Sequence, residues 1–585
     1  MKSRLGDRGI EKPLFWNLAY GSAVLFSMAL VYSLLPHTWL SSDSVPTSSL
    51  EIPSQIPSTE TIDPTLPSNT PLCDVWSNYD STWRRQIPLA VPANDTALAP
   101  TRLGDPEVMN RNGTHGCVPA AERLGPFGHS VGRSDFRDRP WSTLRWGESQ
   151  SQCAYEQQQQ TIEKGTPYRA MKSRLQRFHG GVDENLKNAW LDGKVTGKTA
   201  VVLRTWDQFE YTANQKAWLR TLVTELAMDT GGRYQLFLLV DVKDGELDLN
   251  DDKTHAEVLE KSVPGEFRDM TLLWNEKMVK EWFPKVDQHR AMHQMYQALQ
   301  IFSYTFPEFD HIWQLETDAR LTGNAARILD DVTTWSTSQP RKNLWERNAR
   351  FYVPGLWSDY TAFSAAIDDE LANHTDSTTW GPPPTAQIYI TPGGPTPPSR
   401  SDTTWGIGEA PDLITFSPMI DPIGSDWAYE EGGVHGFDPP KSLPRRMAIV
   451  SMTRTSRKLL RLISLEQRET GNWLVSESTP ETFTFLHGLK GVYAPHVVSF
   501  SFDDGKGKGL DTEEMEEMVH KGPWWSRAGG ARTGFLWTHG GLPEERWKGA
   551  SYFFWEGTAR GVWKGYVGGE CGEAMLLHPV KGDDD

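Results

Sequence analysis

The chain contains 585 residues, carries a net charge of −17 and is 38% hydrophobic. An acidic chain with no basic stripe interleaved with aromatic residues is not typical of proteins that bind nucleic acid or anionic lipid surfaces. Only one stretch of about 20 uncharged apolar residues is present, which argues against a multi-pass transporter.

The apolar stretch lies near the N-terminus, at residues 14–35, and contains no charged side chain. A helix of this length can cross the roughly 30 Å hydrocarbon core of a bilayer. Residues 1–13 carry two lysines and two arginines against two acidic residues. We therefore expect a cytoplasmic tail followed by a transmembrane signal anchor, which makes a single-pass type II membrane protein. The alternative is a cleaved signal peptide, whose apolar region is normally shorter.

The chain after the anchor is expected to lie in the secretory lumen. Residues 36–72 are rich in Pro, Ser and Thr and predict an extended, disordered stem, whereas residues 73–140 form an irregular segment of no recognisable fold. Asn-x-Ser/Thr acceptors for glycosylation occur at Asn94, Asn112 and Asn373. We expect the protein in the membrane of the Golgi or the endoplasmic reticulum.

Four cysteines are present, and all of them follow the predicted anchor. An even number in an oxidising lumen permits two disulfides, and four cysteines can pair in three ways. The sequence does not choose among these pairings, and four free buried thiols remain the alternative. The cysteines are Cys73, Cys117, Cys153 and Cys571.

Residues 141–575 are richer in apolar and aromatic side chains and are assigned to one lumenal domain. Within this domain, β-branched apolar runs alternate with stretches of helical periodicity. This alternation predicts βαβ units and an α/β fold with a doubly wound, mostly parallel sheet. The predicted strands are residues 199–203, 234–240, 270–274 and 309–315, and the predicted helices are residues 214–228, 255–262, 287–306 and 324–337.

An acidic motif follows the last of these predicted strands. In a strand, Glu316 and Asp318 point to one face, while Leu315 and Thr317 point to the other. The carboxyl ends of parallel strands are where open α/β sheets bind ligands. Two close carboxylates repel each other, so a dication would stabilise the pair, and oxygen ligands favour Mg²⁺ or Mn²⁺. The alternative is a solvated strand end.

Several stretches resemble a fungal family known as domain of unknown function 3405. Together they span most of the lumenal part, and the family name declares no function. The stretches are residues 203–206, 262–267, 313–323, 340–348, 405–414 and 486–496.

The layout also resembles GT-A glycosyltransferases, which are type II Golgi enzymes with a stem and a nucleotide-sugar domain. This resemblance implies a GT-A-like (Rossmann-like) sheet. The sequence around Trp313 is similar to the Trp-x-x-Glu-x-Asp segment of fungal α-mannosyltransferases. By that similarity Glu316 and Asp318 hold Mn²⁺ or Mg²⁺ on the donor diphosphate, and a later histidine adds a ligand. His496 is the first choice for this histidine and His487 the second.

Further residues are candidates for binding the donor. Arg204, at the end of the first strand, and Lys490 are placed to contact the diphosphate, although both are equally plausible as surface cations. Asp241, which ends the second strand, is a candidate for binding the base or ribose. A solvated strand end is the alternative for Asp241.

Residues 405–414 offer candidates for the acceptor side. Glu409 or Asp412 could act as the general base if the transfer inverts the anomeric centre, and Trp405 could stack on an acceptor sugar. The alternative is that Glu409 and Asp412 are surface acids and that Trp405 belongs to the core.

The sequence thus predicts a metal-dependent glycosyltransferase. Its donor would be a nucleotide sugar, GDP-mannose by similarity, and its acceptor a glycan, glycoprotein or glycolipid. The alternative is a non-catalytic, membrane-anchored carbohydrate-binding or scaffolding protein with the same fold.

Overall fold

The computed structural model describes most of the chain beyond residue 70, with gaps. Among the described residues, no helix combines the length and apolarity needed to cross a bilayer. The predicted anchor at 14–35, the stem up to residue 70 and the glycosylation sites Asn94, Asn112 and Asn373 lie outside the described part. The described residues are 71–75, 87–90, 102–111, 116–157, 184–372, 378–383, 388–423, 429, 432–438, 443–500, 511–519, 549–553 and 556–582.

A seven-stranded sheet organises the described chain. Its spatial order is β3-β2-β1-β4-β6-β5-β7, and β6 alone of the seven runs antiparallel to its neighbours. The predicted mixed α/β fold with a mostly parallel sheet is confirmed. The strands are β1 (Thr199–Trp206), β2 (Tyr234–Asp241), β3 (Thr271–Trp274), β4 (His311–Glu316), β5 (Leu413–Thr415), β6 (Met452–Ser456) and β7 (Gly491–Tyr493).

The strands at the centre of the sheet are apolar because helices cover both faces. Every residue of β2 except the last is buried, and β1 is buried from Ala200 to Leu203. The observed β1 extends three residues beyond the predicted 199–203. The ladder continues because Trp206 pairs in register with Asp241 at the end of β2. The polar residues in this extension line the cleft described below. Because they are polar, a search for apolar runs in the sequence does not include them.

Several helices between the strands begin at residues whose side chains cap them. Asn324 accepts a hydrogen bond from the amide of Arg327, and Thr212 accepts one from the amide of Gln215. The helices are Ala120–Arg123, Ser134–Arg137, Trp146–Gln157, Glu184–Leu191, Ala213–Val223, Asp252–Ser262, Glu276–Trp282, Ala291–Thr305, Ala325–Thr337, Leu344–Asn348, Tyr360–Leu371, Arg457–Glu469, Thr479–Leu486, Thr512–Val519 and Glu556–Val567.

Short elements complete the fold. A π-helical turn, Thr224–Met228, continues the helix Ala213–Val223. Three two-stranded antiparallel pairs lie outside the main sheet: Arg102–Leu103 with Val498–Ser499, Val434–His435 with Trp473–Leu474, and Arg320–Leu321 with Leu576–Leu577. The 3₁₀ turns are Pro106–Val108, Gly125–Phe127, Trp141–Thr143 and Arg268–Met270.

Two disulfides tie the N-terminal part of the described chain to the rest. Cys73 pairs with Cys153, and Cys117 pairs with Cys571. The alternative of four free thiols is therefore wrong. The described part of the segment before residue 141, which showed no recognisable pattern, contains short helical turns. Its apolar side chains, such as Leu124, join the same hydrophobic core as the sheet.

Candidate metal centre

A cleft opens at the carboxyl ends of β1, β2 and β4. Its volume is about 640 Å³, which is within the usual range of small-molecule sites. The strand order reverses direction between β1 and β4, and the crevice at such a switch point is where open α/β sheets bind ligands. The lining includes Arg204, Trp206, Phe209, Asp241, Lys243, Trp274, Ala291, Met295, Glu316, Thr317 and Asp318.

The acidic motif lies at one end of this cleft. Glu316 is the last residue of β4, and it lies in register with Arg204 on the neighbouring β1. The Arg204 guanidinium donates a hydrogen bond from Nη2 to the Glu316 carboxylate and one from Nε to Gln314 Oε1, at 2.7 Å. Arg204 therefore lines the cleft, and its charge is paired with Glu316.

His578 completes the cluster. Its Nε2 lies 2.9 Å from Glu316 Oε2 and 3.4 Å from Asp318 Oδ1. On the other side of the ring, Nδ1 lies 2.5 Å from the carbonyl oxygen of Phe553. A carbonyl can only accept, so Nδ1 must carry a proton, and Nε2 is the atom directed at the two carboxylates. We call Glu316, Asp318 and His578 the acid–histidine cluster.

Backbone pairing brings His578 to a motif that lies 262 positions earlier in the chain. The strand Leu576–Leu577 pairs with Arg320–Leu321, which follows the acidic motif directly. Just beyond His578, the amide of Val580 donates to the carbonyl of Asp318 at 2.7 Å. The Cys117–Cys571 disulfide fixes the start of this C-terminal segment.

The charges in the acid–histidine cluster depend on one another. Burial would lower the pKa of His578, but hydrogen bonds to Asp318 and Glu316 and the charges of both carboxylates raise it well above its usual value. Burial would raise the pKa of Glu316, but Arg204 and His578 lower it below its usual range. The cluster is thus stable as an ion network of two carboxylates, one guanidinium and one imidazolium.

The donor atoms of the cluster also fit a metal ion. Adjacent ligands of an octahedral ion with bonds of about 2.1 Å lie about 3 Å apart. The distances of 2.9 Å and 3.4 Å from Nε2 to the carboxylates are close to that spacing. Each residue offers one ligand atom, and these atoms all lie within 4.8 Å of one another. The Nδ1–H bond to a backbone carbonyl is the contact that usually orients a metal-binding histidine.

The far end of the cleft is aromatic and carries one acid–base pair. The Asp241 carboxylate lies 2.5 Å from Lys243 Nζ. Burial raises the pKa of Asp241, and Lys243 opposes part of that rise. Trp206, 39% exposed, packs edge to face against Phe209, and Trp274 closes the lining at the end of β3.

Three predicted donor- and acceptor-site residues lie at the opposite edge of the sheet. Asp412 directly precedes β5, whose first residue, Leu413, pairs with Thr455 of β6. The next residue of β6, Ser456, pairs with His311, the first residue of β4. Asp412 is therefore level with the start of β4, whereas Glu316 ends that strand. Five residues at about 3.3 Å each place Asp412 about 16 Å from Glu316 along the strand direction. Lys490 connects the other two residues, because its carbonyl accepts from the Asp412 amide and its Nζ donates to the Glu409 carbonyl.

These residues are held by structural partners and do not line the cleft. Arg341 holds the Glu409 carboxylate with two hydrogen bonds of 2.6 Å. Lys490 is fully buried and donates from Nζ to the carbonyls of Thr337, Gly406 and Glu409 at 2.7–3.0 Å, and burial lowers its pKa to about 7. An ammonium with three carbonyl partners holds loops together and is not available to a diphosphate.

Asp412 and Trp405 are likewise engaged away from the cleft. Asp412 Oδ1 accepts a hydrogen bond of 2.6 Å from Ser456 Oγ, and burial raises the pKa of Asp412. The Trp405 ring lies 4.6 Å from the Trp380 ring and 5.0 Å from the Arg341 guanidinium. Neither residue lines the cleft.

The two histidines suggested by the sequence lie in the core. His496 is buried, with its ring 4.7 Å from the ring of Tyr552, and burial lowers its pKa to about 3. Tyr552 also neighbours His578, with ring centres 6.1 Å apart. His487 packs against Phe483. The histidine beside Glu316 and Asp318 is therefore His578, which the sequence analysis missed.

Buried ion pairs fix the backbone around the cluster. Arg320 is fully buried over the Trp218 ring and donates to the carbonyls of Thr317 and Ala319, on either side of Asp318. Arg123 pairs with Glu225 and also donates to the carbonyl of Leu321. Buried arginine side chains therefore fix the backbone of the loop that carries Asp318.

Comparison with known proteins identifies a family but no activity. A family model with the description "Protein of unknown function (DUF3405)" matches residues 111–581, which is most of the chain. No curated protein and no solved structure matches it.

Proposed function

Because the chain belongs to the DUF3405 family, whose description states no activity, we propose a function from the site itself: a metal-dependent glycosyltransferase that uses a nucleotide-sugar donor. The observation that supports this proposal best is the acid–histidine cluster at the switch point of a doubly wound sheet, at one end of a cleft. The resemblance of residues 313–318 to fungal α-mannosyltransferases points in the same direction.

The dimensions of the cleft suit a nucleoside diphosphate. Three strand spacings of about 4.8 Å separate β4 from β3, so the acid–histidine cluster and Trp274 lie about 14 Å apart. That span accommodates a base and ribose near β2 and β3 and a diphosphate near β4. Trp206 and Trp274 offer aromatic surface for a base, and Asp241 offers a carboxylate for ribose hydroxyls.

Charge balance explains why a metal would be needed. The carboxylates of Glu316 and Asp318 are neutralised by Arg204 and a protonated His578, which leaves no net attraction for an anionic diphosphate. Mn²⁺ or Mg²⁺ held by Glu316, Asp318 and His578 Nε2 in place of that proton would leave a net positive charge for the diphosphate of the departing nucleotide. The two carboxylate ligands are of the kind that favours Mg²⁺ or Mn²⁺.

The remaining parts of the proposal rest on the sequence. A type II anchor at residues 14–35 would place the site in the Golgi or endoplasmic reticulum lumen, and the two disulfides are consistent with such an oxidising compartment. GDP-mannose is the proposed donor by similarity, and the acceptor would be a glycan, glycoprotein or glycolipid. The competing proposal is a carbohydrate-binding or scaffolding protein that keeps the fold without turnover.

Turnover tests this proposal against that alternative. The purified chain with Mn²⁺ should release a nucleoside diphosphate from one nucleotide sugar, and Asp318→Asn should slow the release by at least about 100-fold, in line with the loss of one transition-state contact. Asp330→Asn makes the same chemical change in a partly exposed ion pair with Arg233, outside the cleft, and should leave the rate unchanged. Equal rates for wild type and Asp318→Asn would refute the enzymatic proposal.

Metal binding should depend on pH in a defined direction. The raised pKa of His578 keeps its imidazole charged at pH 7, so an incoming ion must displace about one proton. We expect the apparent affinity for Mn²⁺ to rise about tenfold per pH unit between pH 6 and 8, until the pH exceeds that raised pKa. Calorimetry in two buffers of different ionisation enthalpy measures the proton count directly. Binding without proton release would contradict the assignment of His578.

A further inference from the structure

A second cavity adjoins the cleft and has no role in the function proposed above. This side pocket has a volume of about 220 Å³. This volume lies below the roughly 300–1,000 Å³ of pockets for drug-sized ligands, so it suits a ligand of about one sugar ring. It is lined by Asp287, Gln288, His293, Tyr429, Gly432, His435, Trp473 and Val475.

One short segment forms the wall between the two cavities. Ala291 and Met295 line the cleft, whereas Gln288 and His293 line the side pocket. Consecutive Cα atoms are 3.8 Å apart, so Ala291 and His293 lie within about 7.6 Å of each other. A chain of sugars that extends from the cleft over this wall would therefore reach the side pocket within one or two units.

The side pocket is held in shape by its own contacts. The strand Val434–His435 pairs with Trp473–Leu474, and the rings of His435 and Trp473 stack at 3.9 Å with an angle of 8°. Trp473 Nε1 donates to Asp287 Oδ1 at 2.6 Å. The rings of His293 and Tyr429 meet edge to face at 5.6 Å. These contacts fix the aromatic walls in place before any ligand binds.

The chemistry of the lining selects the class of ligand. Among the described residues, no lysine or arginine lines the side pocket, and Asp287 supplies a carboxylate, so phosphates and other anions are disfavoured. The described residues of this pocket also form no group that could hold a metal ion. Aromatic rings combined with an acid, an amide and imidazoles suit a neutral ring with apolar faces and several hydroxyls.

We propose that the side pocket binds a neutral sugar unit of the acceptor glycan, with the aromatic walls against the ring and Asp287 and Gln288 on its hydroxyls. The preference for a neutral sugar rests on the lining of the side pocket alone. The assignment of that sugar to the acceptor rests on the proposed transferase function. The acceptor hydroxyl would then lie across the Ala291–His293 wall, in the cleft.

Binding of simple glycosides tests this proposal. Saturation-transfer NMR on the purified full chain, with the methyl glycosides of mannose, galactose and N-acetylglucosamine, should show contact with at least one of them. Gly432→Phe and Tyr429→Ala should each weaken that contact at least tenfold. No described atom lies within 4 Å of a Cβ added at Gly432, so the phenylalanine can obstruct the side pocket without a backbone clash.

Matched variants separate an effect on the side pocket from an effect on folding. Gly561→Phe introduces the same side chain at another open glycine, and Tyr389→Ala removes a tyrosine that is 59% exposed elsewhere. Both should bind the glycoside like wild type, and so should Asp318→Ala. No contact with any glycoside, or contact unchanged in Gly432→Phe and Tyr429→Ala, would overturn the proposal.

Nucleotide binding, measured in parallel on the same variants, distinguishes the two proposals. If Gly432→Phe loses the glycoside while no nucleotide binds to wild type, the sugar site stands and the transferase function fails. If nucleotide binding is normal and the side-pocket variants bind the glycoside unchanged, the sugar site alone fails.

Discussion

Replacing His578 by alanine should weaken the binding of Mn²⁺ by at least about 100-fold. Loss of a group that merely orients a metal ligand typically costs about 10–100-fold in affinity, and removal of the ligand itself should cost at least the upper end of that range. The variant removes the only nitrogen donor of the acid–histidine cluster and leaves its two carboxylates, of which Glu316 is paired with Arg204. Isothermal titration calorimetry with Mn²⁺ measures the change.

His496→Ala is the matched control for this prediction. Both histidines are buried and both neighbour the ring of Tyr552, so the two variants should perturb the core to a similar degree. We expect His496→Ala to bind Mn²⁺ with wild-type affinity, because the described group of residues whose ligand atoms could hold a metal ion contains His578 and not His496. A loss of affinity in His496→Ala with normal binding by His578→Ala would show that the sequence-based choice of ligand was right.

Replacing Glu225 by alanine should lower the free energy of unfolding by about 3–5 kcal/mol, the usual cost of leaving one partner of a buried ion pair alone. Arg123 and Glu225 are almost inaccessible to solvent and share two hydrogen bonds, of 2.7 Å and 3.0 Å. Glu225 also accepts from the amide of Ala325, at the start of the helix after the acidic motif. The substitution leaves both a buried guanidinium and a backbone donor without this carboxylate. Urea denaturation monitored by tryptophan fluorescence provides the measurement.

Glu257→Gln serves as the comparison for Glu225. Its ion pair with Lys253 is solvent-exposed and spans one helical turn at 3.8 Å. Exposed pairs of this kind contribute little, so we expect a change below about 0.5 kcal/mol. Equal destabilisation by the two substitutions would mean that burial of the Arg123–Glu225 pair carries no special cost.

The parts of the fold that the sequence predicted are those set by local periodicity. Apolar runs such as β2 and the helices beside them are visible within a window of a dozen residues. The acidic motif was visible because Glu316 and Asp318 follow such a run directly. Position at the carboxyl end of a parallel strand then gave the location of the ligand cleft.

The errors concern residues whose position depends on distant pairing. His578 reaches the cluster through the pairing of Leu576–Leu577 with Arg320–Leu321, and two-residue strands leave almost no pattern in a sequence. Leu413–Thr415 is also too short to recognise, so nothing indicated that Glu409 and Asp412 precede a strand and lie at its amino end. The sequence does not distinguish Lys490 from a surface lysine, because its burial and its three carbonyl partners depend on the tertiary structure.

We propose that the acid–histidine cluster binds a nucleotide through a metal ion. The most direct test is the thermal unfolding of the full chain with a panel of nucleoside diphosphates, with and without Mn²⁺, for wild type and Asp318→Ala. We predict that one nucleotide stabilises wild type by about 2.7 kcal/mol at a concentration 100 times its Kd. This stabilisation should require Mn²⁺ and vanish in Asp318→Ala. If no nucleotide shifts the unfolding of the well-folded chain, or if the shift persists without Mn²⁺ and in Asp318→Ala, the claim is contradicted and the non-catalytic alternative takes its place.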